Sequence, residues 1–103
     1  MRKAQVVWSD EAINDLEIIY DFLAENSPPT AQGIVESILN RSKQLESFPE
    51  LGAQQKVIKS AAKGYQYLVE GNYNVIYSYQ KESQVVHIAT IFDARYNPEQ
   101  LKL

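Results

Sequence analysis

The chain has 103 residues, room for one domain (1–103) and not for a second. Its 45% apolar and 22% charged residues are near globular averages and argue against intrinsic disorder; with no cysteine and one histidine it has no disulfide, thiolate metal site or histidine-rich centre. The net charge of −3 is divided unevenly: residues 1–53 carry four basic and nine acidic residues, residues 54–103 six basic and four acidic, and no Lys or Arg occurs between Ala4 and Asn40, so the N-terminal half is not a nucleic-acid surface.

The first residues are charged, but no long apolar segment follows, so neither a signal peptide nor a membrane span is expected and the cytoplasm is the expected compartment. Residues 3–8, with the β-forming run Gln5-Val6-Val7-Trp8, predict a strand. Ser9 suits a helix N-cap, and Asp10 and Glu11 suit the positive end of the helix dipole behind it. Ala12, Ile13, Leu16, Ile19, Tyr20 and Leu23 then recur at helical spacing, while Glu17, Asp21 and Glu25 repeat at i+4 on a face that must meet water. Asn26-Ser27-Pro28-Pro29 breaks the chain and starts a second helix near Ser27. Its stripe is Ala31, Ile34, Val35, Ile38, Leu39, Leu45 and Phe48, with Ser42 as a small member, and the short connection predicts an antiparallel helical hairpin.

Phe48-Pro49-Glu50-Leu51-Gly52 ends the second helix. Four strand patterns follow: a weak one at Lys56-Val57-Ile58-Lys59, then Tyr65 to Val69, Tyr73 to Tyr79, and Val85 to Phe92. Turn residues at Glu70-Gly71-Asn72 and Gln80 to Ser83 separate the last three. The order β-α-α-β-β-β(-β) predicts an α+β fold, with the hairpin on one face of a mainly antiparallel sheet. The first strand is expected in the same sheet, and the opposite face is expected to be open and partly aromatic.

Little here supports familiar active-site chemistry. There is no Gly-x-Ser-x-Gly turn for a nucleophile and no glycine-rich phosphate loop; Gly64 and Gly71 read as turn glycines. No cofactor or metal is expected. His87, between Val86 and Ile88, reads as a packed or edge residue. Cleaving RNA without a metal needs a base, a cation beside the phosphorane and an acid. Lys56, Lys59, Lys63, Arg95, His87 and the tyrosines are candidates for those roles on an open sheet face. Tyr65, Tyr67, Tyr73, Tyr77 and Tyr79 equally fit strands for their β-propensity, or a protein interface.

Several segments together carry a family resemblance. Ala12-x3-Leu16-x2-Ile19-Tyr20-x-Phe22-Leu23 resembles the first helix of the RelE/ParE toxin superfamily. Leu45-x2-Phe48-Pro49-x2-Gly52 is similar to that family's helix exit. Tyr65 to Tyr77 resembles the paired strands of ParE-type, or plasmid-stabilisation, toxins, and Val86-x-Ile88-x3-Phe92-Asp93-x-Arg95-x-Asn97-Pro98 their closing strand and tail. The match runs in order over nearly the whole chain and implies the same α+β fold.

The resemblance implies the toxin of a bacterial type II toxin–antitoxin pair. Its partner would be a cognate antitoxin that folds on binding and supplies the only link to DNA. RelE-like members cut messenger RNA on the ribosome; ParE-like members inhibit DNA gyrase without being enzymes. The acidic balance favours the gyrase inhibitor, because a ribosome-directed nuclease works in a dense phosphate field. Position 66 also departs from the family pattern: Gln66 stands where an arginine is common, which raises a third reading, a detoxified antitoxin-binding module. In the ribonuclease reading, Arg95, Lys63, Tyr96 and His87 are the catalytic candidates. For antitoxin or target contact the candidates are Lys56, Lys59, Lys63, Tyr65, Tyr67, Arg95 and Tyr96, on the more basic half, with the acidic first helix as the solvated side.

Overall fold

The computed structural model describes residues 3–54 and 64–95. Strand β1 spans Gln5–Trp8, and Ser9 caps helix α1, Asp10–Ala24, by accepting the Ala12 N–H at 3.0 Å. Ser27 caps helix α2, Pro28–Lys43, in the same way through the Thr30 N–H at 3.4 Å. Pro28 and Pro29 occupy the first turn, where a missing N–H costs nothing. The apolar stripe predicted as far as Phe48 outruns the helix. α2 tightens into a 3₁₀ turn at Gln44–Glu46, which buries Leu45, whereas Phe48 is 63% exposed. Ser42 is buried, as its place in the stripe predicts, and its hydroxyl donates to the Ile38 carbonyl one turn back.

Four strands follow: β2 Ala53–Gln54, β3 Tyr65–Glu70, β4 Tyr73–Gln80 and β5 Val85–Asp93. Among the described residues they form one mixed sheet in the order β1-β5-β4-β3-β2. β1 runs parallel to β5, pairing Gln5 with Val85 and Trp8 with Ile88, and every other neighbour is antiparallel. The first strand therefore finds its partner at the far end of the sequence. The strand expected at Lys56–Lys59 lies outside the described residues. Gly71 turns β3 into β4 with φ +59°, a conformation that a Cβ would disfavour.

Alternation sorts the tyrosines onto two faces. Tyr73 and Tyr77 face the helices with Val75, Leu68, Val86 and Ile88, and Tyr79 packs at the margin of that core. Ile38, Leu45 and Ala12 close it from the helical side. Each fully buried Leu or Ile contributes about 1.5–3 kcal/mol over leaving it in water. Of the strand tyrosines, Tyr65 and Tyr67 stand on the opposite face, half-buried beside Ile76 and Phe92. The expectation of a partly aromatic open face thus holds for two of the five.

A β-bulge links α1 to the sheet. Ile76 pairs with Thr90 and Tyr77 with Ile88, so Ala89 is the extra residue. Groups at and just beyond the bulge are bonded from the start of the first helix. Ser9 Oγ donates to the Ala89 carbonyl at 2.9 Å, and the Asp15 carboxylate accepts the Thr90 hydroxyl at 2.5 Å and the Ile91 N–H at 3.1 Å. One serine thus caps a helix and anchors that helix on β5.

Candidate interaction surfaces and family

The sequence candidates are dispersed. Lys56, Lys59, Lys63 and Tyr96 lie outside the described residues. Across the open face, register places Tyr65 opposite Ser78 and Ser78 opposite His87. With neighbouring strands about 4.8 Å apart, Tyr65 and His87 are roughly 10 Å apart along that row. His87 is exposed there, opposite in direction to its buried neighbours Val86 and Ile88. It is an outward-facing strand residue, not a packed one.

Arg95 sits just past β5 and turns back on Asp93. Its Nε donates to both carboxylate oxygens at 2.9 and 3.1 Å, its Nη2 donates at 2.5 Å, and its backbone N–H adds a fourth bond at 2.9 Å. The side-chain hydrogen bond from Arg95 is the main reason the Asp93 carboxyl titrates below the usual range. A bidentate fork of this kind fixes the guanidinium in direction and part-neutralises it. Among the described strand residues of the open face there is no Lys or Arg.

Gln66 has a structural occupation. Its side-chain amide donates to the Gly52 carbonyl at 3.1 Å, while the Gly52 N–H donates to the Tyr77 hydroxyl at 2.8 Å. The neutral amide bridges β3 to the loop after α2. Burial is the largest influence on the Tyr77 phenol and pushes its pKa up; the Gly52 N–H pulls it down, and the nearby Glu50 charge pushes it up again.

The least expected surface lies on α1. Ile18 is 58% and Phe22 60% exposed, so the acidic helix is not simply a solvated side. They border a groove of about 280 Å³ between α1 and the end of β5, lined also by Asp15, Ile19, Tyr73, Ile91, Phe92 and Asp93. The sequence signal was present: Ile18 and Phe22 are an i,i+4 apolar pair beside the main stripe. On the other side of the helix, Ile13 and Tyr20 of the expected core stripe are also more than a third exposed, as is Leu39 of α2. Two helices over one sheet cover only an arc of each helix, and residues at the edge of that arc remain in water. Among the described residues no group of three His, Cys, Asp or Glu could hold a metal, and no helix is long and apolar enough to cross a membrane.

A two-helix hairpin on one face of a mixed sheet, closed by a parallel first strand, is the α+β fold of toxins solved with their antitoxins. The chain is similar to the chromosomal ParDE toxin–antitoxin system of P. aeruginosa, at 21% identity over 88% of this chain and 96% of that one, with a TM-score of 0.71. It is also similar to the RelBE2 toxin–antitoxin complex of Mycobacterium tuberculosis, at 19% identity over 88% and 98%, with a TM-score of 0.66. No curated protein matches by sequence. The family model described as the ParE toxin of the type II toxin–antitoxin system, parDE, matches residues 6–98. The chain belongs to the ParE toxin family.

Proposed function

We propose that this toxin acts by binding and inhibiting DNA gyrase, and that a cognate antitoxin neutralises it by direct contact. The observation that carries the gyrase reading is the charge of the open sheet face. A ribonuclease without a metal must steady a phosphorane with a cation. Among the described residues that face offers Tyr65, Ser78 and His87 but no Lys or Arg, and Arg95 at its end is bound to Asp93. The net charge of −3 is likewise a poor match to ribosomal phosphate. An inhibitor that works by protein contact needs neither. The antitoxin partner is supported by the two similar structures, both from toxin–antitoxin systems.

The test is a supercoiling assay with purified gyrase and the purified chain in molar excess. The reading predicts loss of supercoiling that pre-mixed antitoxin reverses; unchanged supercoiling contradicts it. The ribonuclease reading has one observation in its favour, the row Tyr65, Ser78, His87, and predicts cleavage of transcripts in a translating extract that His87→Ala abolishes.

A further inference from the structure

We infer that the groove between α1 and β5 is a docking surface for a cationic amphipathic helix, and that its occupant is the docking segment of the antitoxin. The inference rests on the toxin reading for the identity of the occupant, and on geometry and charge for its chemistry.

Glu11, Asp15, Ile18 and Phe22 on α1 and Glu25 at its C-cap follow one another at spacings of four, three, four and three. At 100° per residue these five positions lie on one stripe of the helix. Asp15 fixes the stripe against β5 through Thr90 and Ile91, and Ile18 and Phe22 border the groove. The stripe therefore presents two large exposed apolar side chains with an acid about two turns to either side, Glu11 before Ile18 and Glu25 after it. No Lys or Arg on α1 balances these acids, since none occurs between Ala4 and Asn40, and Arg41 at the end of α2 lies beside Val69 and Glu70 rather than at this groove. The groove lining holds no Lys or Arg, and Arg95, next to the lining residue Asp93, is bound to that carboxylate.

The shape selects a helix over an added strand. β1 pairs with β5 only as far as Ile88, which leaves the later part of β5 as a sheet edge. The outward N–H of that edge at Ile91 is already taken by Asp15, so an extended segment would lack the backbone partner that strand addition requires. A helix needs no backbone partners and meets a four–three stripe with apolar anchors of its own. The complementary segment carries two apolar residues at i and i+3 or i+4, with Lys or Arg about two turns on either side. This surface is acidic, whereas the contact candidates read from the sequence lie on the more basic half of the chain.

The test uses the full chain and two synthetic helical peptides of about 20 residues. Both carry leucine anchors at i and i+4; one has Lys at the flanking positions and the other Glu. Fluorescence anisotropy is expected to show the Lys peptide binding at least about tenfold more tightly, with a clear salt dependence. Phe22→Ser should weaken it about tenfold or more, and Glu11→Lys with Glu25→Lys should reverse the order of the two peptides. Phe48→Ser, at an exposed site away from the groove, should change nothing. Equal binding of the two peptides, or binding indifferent to Phe22→Ser, overturns the inference. In cells where the wild-type chain arrests growth and its antitoxin rescues, Phe22→Ser should remain toxic and escape rescue. Full rescue of Phe22→Ser overturns the docking surface while leaving the toxin reading intact. A wild-type chain that never arrests growth counts instead against the toxin reading, and the peptide measurement still decides the surface.

Discussion

The Gly52 N–H donates to the buried Tyr77 hydroxyl across 2.8 Å, and this bond fastens the loop after α2 to the middle of the sheet. The fit leaves no space for a side chain at Gly52. A Cβ there would lie 2.5 Å from the Tyr67 carbonyl oxygen and 2.7 Å from the Tyr77 hydroxyl. Gly52→Ala is therefore expected to destabilise the fold by about 1–3 kcal/mol through overpacking against backbone that cannot yield cheaply. Tyr77→Phe relieves no clash and strands the Gly52 N–H, for a loss of about 1–3 kcal/mol. Urea unfolding followed by circular dichroism measures both.

The same phenol sets an alkaline limit. Burial raises the Tyr77 pKa above the ordinary value of 10.0, so the folded chain keeps this proton where the unfolded chain has begun to lose it. The stability it contributes is complete below about pH 10 and falls as pH rises through the raised folded value. Tyr77→Phe should flatten that part of the decline in a pH series of urea midpoints.

Asp15 joins α1 to the β5 bulge by two hydrogen bonds that no neighbouring strand replaces. Asp15→Ala should cost about 2–4 kcal/mol, because it removes bonds to a charged acceptor and leaves the Ile91 N–H without its partner. Asp15→Asn keeps an acceptor oxygen and should cost less. Thermal unfolding of the two variants side by side gives the comparison.

Much of the fold could be read from residue order and residue chemistry. Ser9 and Ser27 marked both helix starts, the two prolines marked the first turn of α2, and the alternation through β4 marked its two faces. The partner of β1 could not be read, because pairing between residues 5 and 85 leaves no local trace. The bulge at Ala89 was equally hidden, since its support comes from Ser9 and Asp15, about 75 to 80 positions away. The candidate surfaces were read less well. Periodicity marks the apolar residues of a helix but not how wide an arc the sheet covers, so it does not reveal that Ile13 and Tyr20 stay partly exposed or that Ile18 and Phe22 border a groove. Gln66 appeared only as a missing cation; its bond to Gly52 depends on a loop that the sequence does not bring near.

Arg95 and Asp93 give an acid-side prediction. The lowered carboxyl pKa means the pair's contribution is complete above about pH 4 and is lost as pH falls through the folded value. Arg95→Ala should remove that acid-side dependence. At neutral pH it should cost less than about 1 kcal/mol, because Arg95 is exposed and screened by solvent.

The most direct test of the central claim is pulse-labelling of DNA and protein synthesis after tightly controlled induction in bacteria lacking the antitoxin. A gyrase inhibitor predicts an early fall in DNA synthesis while translation continues. An early fall in translation with DNA synthesis intact would contradict it.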